Sequence, residues 1–145
     1  MIESWPLPTT DGHDAPFWQG AGRGALVMEA CSNCGELRFP PRPMCPCCHS
    51  RQREWRELSG RGRIWSFIVS HPPLFPVFNP LAPYNVIIVE LDEEPTIRLA
   101  GNLVSDPQGP INSVSADTIR IGEPVQAVYA PMTEDVTLIR WVRRG

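Results

Sequence analysis

Two segments decide the fold of the first third of this chain. They are Cys31-Ser32-Asn33-Cys34 and, after ten intervening residues, Cys45-Pro46-Cys47-Cys48. Each Cys-x-x-Cys pair forms a short knuckle, and two knuckles together supply the four thiolates that a tetrahedral zinc ion needs. We therefore predict one structural Zn2+ bound by Cys31, Cys34, Cys45 and Cys48. A site of four cysteines leaves no open coordination position for a substrate, so the metal does not itself indicate catalysis.

A zinc ribbon over residues 25–58 accounts for the sequence around these pairs. Gly35 directly follows the first pair and suits the positive φ that such a turn requires. Prolines after the first knuckle limit the next strand to a short edge strand. Cys47 is predicted to be a spare thiol, because a knuckle uses its first and fourth positions, and His49 is a weaker alternative ligand.

Residues 1–24 are predicted to form a polar, proline-rich and loosely held tail followed by a short helix. Asp14 suits the N-cap of this helix and Pro16 suits its first turn. Phe17 and Trp18 are adjacent bulky side chains on a short element, so they must pack against something. They pack either on their own domain or on a partner protein, and the sequence leaves both interpretations open.

Residues 59–145 show the pattern of an all-β unit. Turns rich in proline, glycine and acidic residues separate five apolar, β-branched or aromatic runs. The runs are Ile64–Ser70, Asn85–Leu91, Ile97–Val104, Pro124–Tyr129 and Val136–Val142. Five short strands match an OB-fold, a partly open Greek-key barrel. The predicted fold is therefore mainly β: a short N-terminal helix, a rubredoxin-like four-cysteine zinc ribbon and a five-stranded OB-fold barrel.

Several local features of the barrel can also be predicted. Val86-Ile87-Ile88-Val89 is continuously apolar, which indicates a central strand buried on both faces. Ser59-Gly60-Arg61-Gly62-Arg63 places two glycines where the first barrel strand begins, which favours a bulge or a sharp bend. Residues 111–121 have room for a short helix between the third and fourth strands.

Composition and charge argue against several classes of protein. The net charge of −3 gives no general attraction to nucleic acid or to an anionic membrane. No apolar run approaches the ~20 residues that span a bilayer, and the first residues lack the pattern of a secretory signal. We therefore expect a cytoplasmic location, where a reducing environment keeps the cysteines available for a metal.

No catalytic constellation is visible. The three histidines, His13, His49 and His71, lie in the tail, beside the ribbon and at a strand end. A nucleophile with its base needs a histidine brought together with a Ser or Cys and a carboxylate, and no motif indicates such a set. His71 is either a residue at the mouth of the barrel or part of an ordinary turn. We predict no catalytic residues.

Short motifs follow one another in a characteristic order along the chain. They are Phe39-Pro40-Pro41-Arg42, Cys45-Pro46-x-Cys48, Ser59-Gly60-Arg61-Gly62, Ser66-Phe67, His71-Pro72, Pro83-Tyr84-Asn85-Val86, Val89-Glu90-Leu91-Asp92, Asn102-Leu103-Val104, Ile121-Gly122 and Asp135-Val136-Thr137-Leu138. Together they resemble the zinc-ribbon/OB-fold proteins of acyl-CoA metabolism, a family long catalogued as a domain of unknown function. The resemblance covers roughly residues 14–142.

The resemblance implies a function as a non-catalytic accessory subunit. Family members pair with thiolase-fold enzymes, namely thiolases, acyltransferases and steroid side-chain aldolases, and some pair with hot-dog-fold hydratases. The chain would then bind such a partner in a hetero-oligomer and support its acyl-CoA chemistry. Phe17 and Trp18 are the candidates for partner docking, and residues 105–118 form a long connection that would suit a partner-specific loop.

An arginine-rich stretch offers possible contacts to acyl-CoA; its members are Arg51, Arg53, Arg56, Arg61 and Arg63. A planar guanidinium makes two parallel hydrogen bonds to a phosphate, and coenzyme A carries phosphates. Arg61 and Arg63 flank the glycine-rich bend and are, with His71, the candidate acyl-CoA contacts; ordinary surface charge is the alternative. Trp65 and Phe67 either form a stacking platform or, as we expect, fill the barrel.

Two other functions are compatible with a ribbon joined to a barrel. A single-stranded nucleic-acid-binding module uses this combination, but it needs a basic groove, and this chain is acidic overall. A rubredoxin-like iron electron carrier is the other, because four sulfurs accept iron as well as zinc. The long β region would have no role in a simple electron carrier.

Overall fold

The computed structural model describes residues 5–145, which form one α-helix and eight strands. The helix is α1 (Ala15–Gly22), and the strands are β1 (Leu26–Cys31), β2 (Leu37–Arg38), β3 (Arg53–Leu58), β4 (Arg61–Ser70), β5 (Tyr84–Leu91), β6 (Arg98–Gly101), β7 (Pro124–Pro131) and β8 (Thr137–Arg143). Single 3-10 turns cover Asn79–Leu81 and Ala116–Thr118. Within the described part of the chain, no helix has the length and apolar character needed to cross a membrane. The predicted mainly β fold is confirmed.

The ribbon is a three-stranded antiparallel sheet with the order β2-β1-β3. Every residue of β1 is buried, so this strand is the centre of the ribbon. β2 is an edge strand of only two residues, as the prolines that follow it predict, because proline cannot donate to a strand ladder. β1 carries Cys31 at its end and so leads directly into the first knuckle.

The second sheet has the order β6-β5-β4-β7-β8, with all neighbours antiparallel. Its two edges meet where Leu103, just beyond β6, forms a parallel bridge with Trp141 of β8. The backbone N–H of Trp141 donates to Asn102, and that of Val104 donates to Trp141. These bonds curl the sheet into the five-stranded half-barrel of an OB-fold.

One apolar cluster joins the helix, the ribbon and the barrel. Phe17 of α1 and Leu26 and Met28 of β1 lie in the same cluster as the barrel residues Ile64, Ile87, Val89, Leu91, Leu99, Leu103, Val125 and Trp141. Full burial of one such side chain stabilises the fold by about 1.5–3 kcal/mol. The cluster contains residues from all three predicted segments, so packing does not separate them. The division into residues 1–24, 25–58 and 59–145 therefore stays a prediction.

The burial of β5 differs from the prediction. Its residues alternate, with Asn85, Ile87, Val89 and Leu91 buried and the intervening side chains only half-buried. The sheet has its core on one side, and successive side chains of a strand point to opposite faces. A continuously apolar run therefore does not require burial on both faces in this barrel.

The bulge in β4 lies later than predicted. The pairing of β4 with β5 shifts between Ile64 and Ser66, so Trp65 is the inserted residue. Trp65 continues the alternation of Arg61 and Arg63 and is turned outward and 46% exposed, with the Arg98 guanidinium 3.9 Å from its ring centroid, rather than filling the barrel. Phe67, in contrast, packs against the core as expected.

Of the two predicted alternatives for Gly60 and Gly62, a bulge or a sharp bend, the structure shows the bend. Gly60 has a φ of 75° and forms the turn between β3 and β4. A Cβ on Gly62 would lie 2.5 Å from the carbonyl oxygen of Glu90 on β5, so only glycine allows the two strands to approach here.

The described part of the N-terminal segment, residues 5–13, is held against the rest of the protein instead of being loose. Trp5 packs edge-on against Phe78, with ring centroids 5.0 Å apart, and His13 contacts Glu29. Residues 1–4 of the predicted tail lie outside the described residues. α1 follows Asp14 as predicted, but the Asp14 carboxylate accepts a hydrogen bond from Trp18 Nε1 rather than from a backbone N–H.

Candidate metal centre

The four predicted cysteine ligands come together at one end of the ribbon. The Sγ atoms of Cys31, Cys34, Cys45 and Cys48 all lie within 4.8 Å of one another. Two Sγ–Sγ distances, Cys31 to Cys48 and Cys34 to Cys45, are 3.6 Å. Sulfurs placed about 2.3 Å from a tetrahedral zinc ion are about 3.8 Å apart, so the arrangement fits such an ion.

The two knuckles repeat one hydrogen-bond pattern. The backbone N–H of Gly35 donates to the backbone carbonyl of Cys31 at 2.8 Å, and that of His49 donates to the backbone carbonyl of Cys45 at 3.0 Å. Gly35 has a φ of 81° and His49 a φ of 65°, so His49 occupies the left-handed position that glycine fills in the first knuckle. Neither His49 nor the exposed Cys47 belongs to the cluster of sulfurs.

The backbone favours the metal-binding form of two cysteines. The N–H of Cys34 lies 3.4 Å from Cys31 Sγ and lowers the pKa of Cys31 to about 6. The backbone N–H groups of Cys48 and, more weakly, Cys47 lower the pKa of Cys45 in the same way. Hydrogen bonds to a thiolate stabilise it against protonation, and the thiolate is the form that binds a metal.

A buried carboxylate, Glu29, lies on β1 two residues from the first ligand and is 0% exposed. Its Oε1 accepts hydrogen bonds from Arg38 Nε and from the Arg42 backbone N–H. Its Oε2 lies 3.2 Å from His13 Nε2 and 3.6 Å from Arg53 Nη1. Nothing in the sequence beyond one acidic residue in an apolar strand signals this cluster, because its members come from distant segments.

The residues predicted to contact acyl-CoA do not form one site. Arg61 and Arg63 are exposed at the start of β4, and Arg63 donates to the Gly122 carbonyl at 3.1 Å. His71 follows the other end of the same strand, about 26 Å from Arg63 at roughly 3.3 Å per residue. There it lines a pocket of about 440 Å³ together with Tyr84, Asn112, Ser115 and Asp117.

The structure places the two candidate docking residues differently. Phe17 is 7% exposed and belongs to the apolar core, which favours packing on its own chain for this residue. Trp18 is half-buried, and its ring lies edge-on to Phe17 at 5.1 Å. Both line an apolar groove of about 430 Å³, with Phe39, Leu99, Ala100, Gly101, Asn102, Leu138 and Ile139.

Asn85 has a structural role that the sequence did not predict. Its side-chain amide donates to the Leu103 carbonyl at 2.9 Å, and its Oδ1 accepts from the Leu103 N–H at 2.7 Å. Asn102 donates to the Asn85 carbonyl at 2.6 Å. This network fixes the strand end that closes the barrel. The only available signal was the presence of Asn85 and Asn102 within two of the recurring motifs.

Two family descriptions together match most of the chain. Residues 18–54 match the rubredoxin-like zinc ribbon domain of ChsH2, and residues 55–130 match the C-terminal OB-fold domain of ChsH2. The chain belongs to the ChsH2 family. The family resemblance predicted from the motifs is thereby confirmed, and the four clustered cysteines of this ChsH2-family chain lie in the matched ribbon.

Relatives of this ChsH2-family chain are named as enzyme subunits and scaffolds. It is 34% identical to a chain of a solved structure described as the Ltp2-ChsH2(DUF35) aldolase, covering 94% of this chain and 98% of that chain with a TM-score of 0.79. A DUF35 domain-containing scaffold protein of Methanocaldococcus jannaschii is 34% identical over 78% of this chain and 73% of its own length.

A third relative is much longer than this ChsH2-family chain. The probable enoyl-CoA hydratase alpha subunit of Thermomonospora curvata is 35% identical over 92% of this chain. The chain spans only 38% of that relative. The ribbon and barrel thus correspond to one part of the hydratase subunit.

Proposed function

We propose that the chain is a non-catalytic accessory subunit of an enzyme that processes acyl-CoA. The observation that carries this proposal is the likeness to a chain of the Ltp2-ChsH2(DUF35) aldolase, because the match covers 98% of that chain. A chain of the same ribbon-and-barrel plan is thus present at full length in a structure described as an aldolase. The scaffold name of the archaeal relative supports the same role.

A thiolase-fold enzyme is the first candidate partner, in particular a steroid side-chain aldolase, a thiolase or an acyltransferase. A hot-dog-fold hydratase is the second candidate, supported by the name of the Thermomonospora curvata relative. Because the chain spans 38% of that relative, any hydratase chemistry would depend on protein outside the ribbon and barrel. Either complex would be a cytoplasmic hetero-oligomer.

The chemistry of the chain's own residues supports a non-catalytic role. A site with four cysteine ligands has no open position at which a substrate could bind the ion. The His13 ring contacts Glu29 and Arg53, both charged residues of the ribbon, rather than a nucleophile. The candidate contacts Arg61 and Arg63 are suited to bind phosphate and not to transfer protons, since arginine stays protonated.

Zinc is the metal that we propose for the four cysteines, with a structural role. When bound, the ion would join the two knuckles, which share no other covalent link. Metal analysis of the purified chain tests this assignment. One zinc per colourless chain is expected, whereas a red protein with thiolate-to-iron absorption would support the electron-carrier alternative.

Arg61 and Arg63 are the proposed contacts to the phosphates of coenzyme A. Both are exposed, and alternate residues of a strand share a face, so they lie on the same outer side of β4 as Trp65. His71 remains a further candidate at the far end of the strand. Trp18, with the buried Phe17 behind it, remains the candidate for contact with the partner enzyme.

The experiment that tests the accessory role co-expresses the chain with the thiolase-fold or hydratase-like protein encoded beside it. A stable complex is expected on affinity purification, and cleavage or hydration of the acyl-CoA substrate should require both chains. Enzyme-like turnover of a thioester by the isolated chain would overturn the proposal. So would failure to co-purify together with unchanged partner activity.

The contact residues can be tested within the same complex. The double change Arg61→Ala and Arg63→Ala should raise the KM for acyl-CoA by about 10- to 100-fold, at about 1.5–3 kcal/mol for a hydrogen bond to a charged group. Complex formation should be unaffected. Arg23→Ala is the matched control, because Arg23 is an exposed arginine after α1. An equal KM in all three proteins would remove Arg61 and Arg63 from the site.

A further inference from the structure

Arg38 is a buried arginine whose hydrogen-bonding groups are only partly used. It is 4% exposed, and its Nε donates to Glu29. Among the described residues, neither Nη1 nor Nη2 reaches an acceptor at regular hydrogen-bond geometry. A buried donor without a partner costs about 1–3 kcal/mol, and more when it is charged. The position of Arg38 therefore indicates an acceptor of another kind close to its two Nη groups.

The strand register brings the guanidinium of Arg38 to the side of the ribbon that carries the sulfurs. Glu29 of β1 and Arg38 of β2 are direct partners in the sheet. Residues two apart on a strand share a face, so Cys31 lies on the same face of β1 as Glu29. Cys31 and Cys45 are both completely buried, as Arg38 nearly is.

The electrostatic surroundings of Arg38 identify the same two cysteines. Burial lowers the pKa of Arg38, but the Glu29 carboxylate and, with smaller contributions, Cys31 and Cys45 together raise it. The two sulfurs thus belong to the electrostatic surroundings of the guanidinium, and neither makes a hydrogen bond of regular geometry with its Nη groups. Ordinary thiols are weak acceptors, whereas thiolates accept charge-assisted hydrogen bonds.

We propose that Arg38 is an outer-sphere partner of the metal centre, whose Nη groups donate hydrogen bonds to the metal-bound sulfurs of Cys31 and Cys45. Four thiolates around a divalent ion carry a net charge of about −2, and a cation in the protein interior stabilises such a charge. Glu29 is the positioning residue, because its bond to Nε fixes the orientation of the guanidinium. The proposal rests on metal binding by the four cysteines and not on the accessory function.

The test compares metal affinity in two matched variants. Replacing Arg38 alone would leave the Glu29 carboxylate buried without its partner, so Glu29→Gln is the reference for Glu29→Gln with Arg38→Met. Competition with a chromophoric zinc chelator should show about 10- to 100-fold weaker binding in the double variant, the usual loss for an outer-sphere partner. Arg42→Met is the control, because it removes an exposed charge from the same loops and keeps the backbone bond to Glu29.

A spectroscopic measurement separates this role from a purely structural one. In the Co2+-loaded chain, hydrogen bonds to the sulfurs raise the energy of the sulfur-to-metal charge-transfer band. The band should therefore move to lower energy in the double variant and stay in place in Arg42→Met. An unshifted band with zinc affinity within about twofold of the Glu29→Gln reference would overturn the proposal, whatever the change in melting temperature.

A second variant tests the hydrogen bonds from Arg38 to the sulfurs if the double variant does not fold. Arg38→Lys keeps a positive charge opposite Glu29 but loses the planar fork that reaches both groups at once. We expect a smaller shift of the Co2+ band in the same direction, with weakened zinc binding. A Lys variant with the wild-type band and wild-type affinity would exclude Nη-to-sulfur hydrogen bonds.

Discussion

The loops that carry the cysteines and the barrel next to them are stabilised in opposite ways. From residue 32 to residue 52 only Arg38 and Cys45 are buried, so these loops have almost no apolar core of their own. The barrel, in contrast, packs large apolar side chains from all five strands around Trp141. The difference teaches that one region relies on charged contacts and on the ion that we propose for its cysteines, and the other on the hydrophobic effect.

Removal of the metal should separate the two regions most clearly. The double change Cys34→Ser and Cys48→Ser should abolish metal binding and disorder the loops, because a structural zinc contributes about 10–16 kcal/mol of binding free energy. The strands β4–β8 should keep their amide NMR shifts. Metal content and two-dimensional NMR spectra measure the two effects.

Cys47→Ser is the control for this change, because Cys47 lies outside the sulfur cluster and should retain the metal. Loss of the barrel signals together with the metal would contradict the separation. It would mean that the shared core of Phe17, Leu26 and Met28 makes ribbon and barrel one cooperative unit.

The opposite perturbation acts on the barrel core. Trp141 is fully buried, and Trp141→Ala should destabilise the protein by about 3–5 kcal/mol, the usual cost of a large cavity. Urea unfolding measures this loss. Trp141→Phe should cost clearly less, because the buried indole Nε1 makes no hydrogen bond within the described residues. Equal losses for both variants would show that the indole N–H has a partner.

Asn85 sharpens the comparison, because it is a polar group inside the apolar region. Asn85→Ala would leave the N–H and the carbonyl of Leu103 unpaired, at about 1–3 kcal/mol for each buried group. We expect a loss of about 2–4 kcal/mol in urea unfolding with unchanged metal content. Asn102→Ala removes only one donor to a backbone carbonyl and should cost less. The reverse order would place the important contact on Asn102.

The smallest expected effect concerns the second knuckle. His49 has a positive φ, which strains a residue with a side chain. In His49→Gly the relief of this strain should exceed the entropy that glycine loses on folding. The metal-bound protein should therefore be more stable by about 0.5–1 kcal/mol. Thermal unfolding measures the gain, and metal content should not change. His49→Ala should give no gain. Loss of metal in both variants would show instead that His49 is a ligand.

Local sequence patterns predicted the parts of the fold that depend on neighbouring residues. The spacing of the cysteine pairs identified the sulfur cluster, and apolar, β-branched or aromatic runs separated by turn residues identified the five barrel strands. β6 ends at Gly101, earlier than predicted, because the following residues leave β5 and close the barrel against β8. Strand boundaries of this kind depend on tertiary contacts that no short window contains.

The features that escaped prediction depend on distant segments or on register. The Glu29 cluster joins His13, Arg38, Arg42 and Arg53, which are far apart in the sequence. A one-residue bulge at Trp65 exchanges the two faces of β4, so that Trp65 faces outward while Phe67, two residues later, packs against the core. Neither the bulge nor the charge cluster leaves a local signature, because each is defined by pairing between segments that are distant in the sequence.

The carboxylate of Glu29 also makes the three strands of the ribbon depend on one another. Burial of a lone charge is costly, so the burial of β1 is favourable only with Arg38 of β2 and Arg53 of β3 beside the carboxylate. The Arg42 backbone N–H, from the loop between the two knuckles, donates to the same carboxylate oxygen as Arg38 Nε. Since the same strand carries Glu29 and Cys31, a substitution that displaces this charge should also disturb the sulfur cluster.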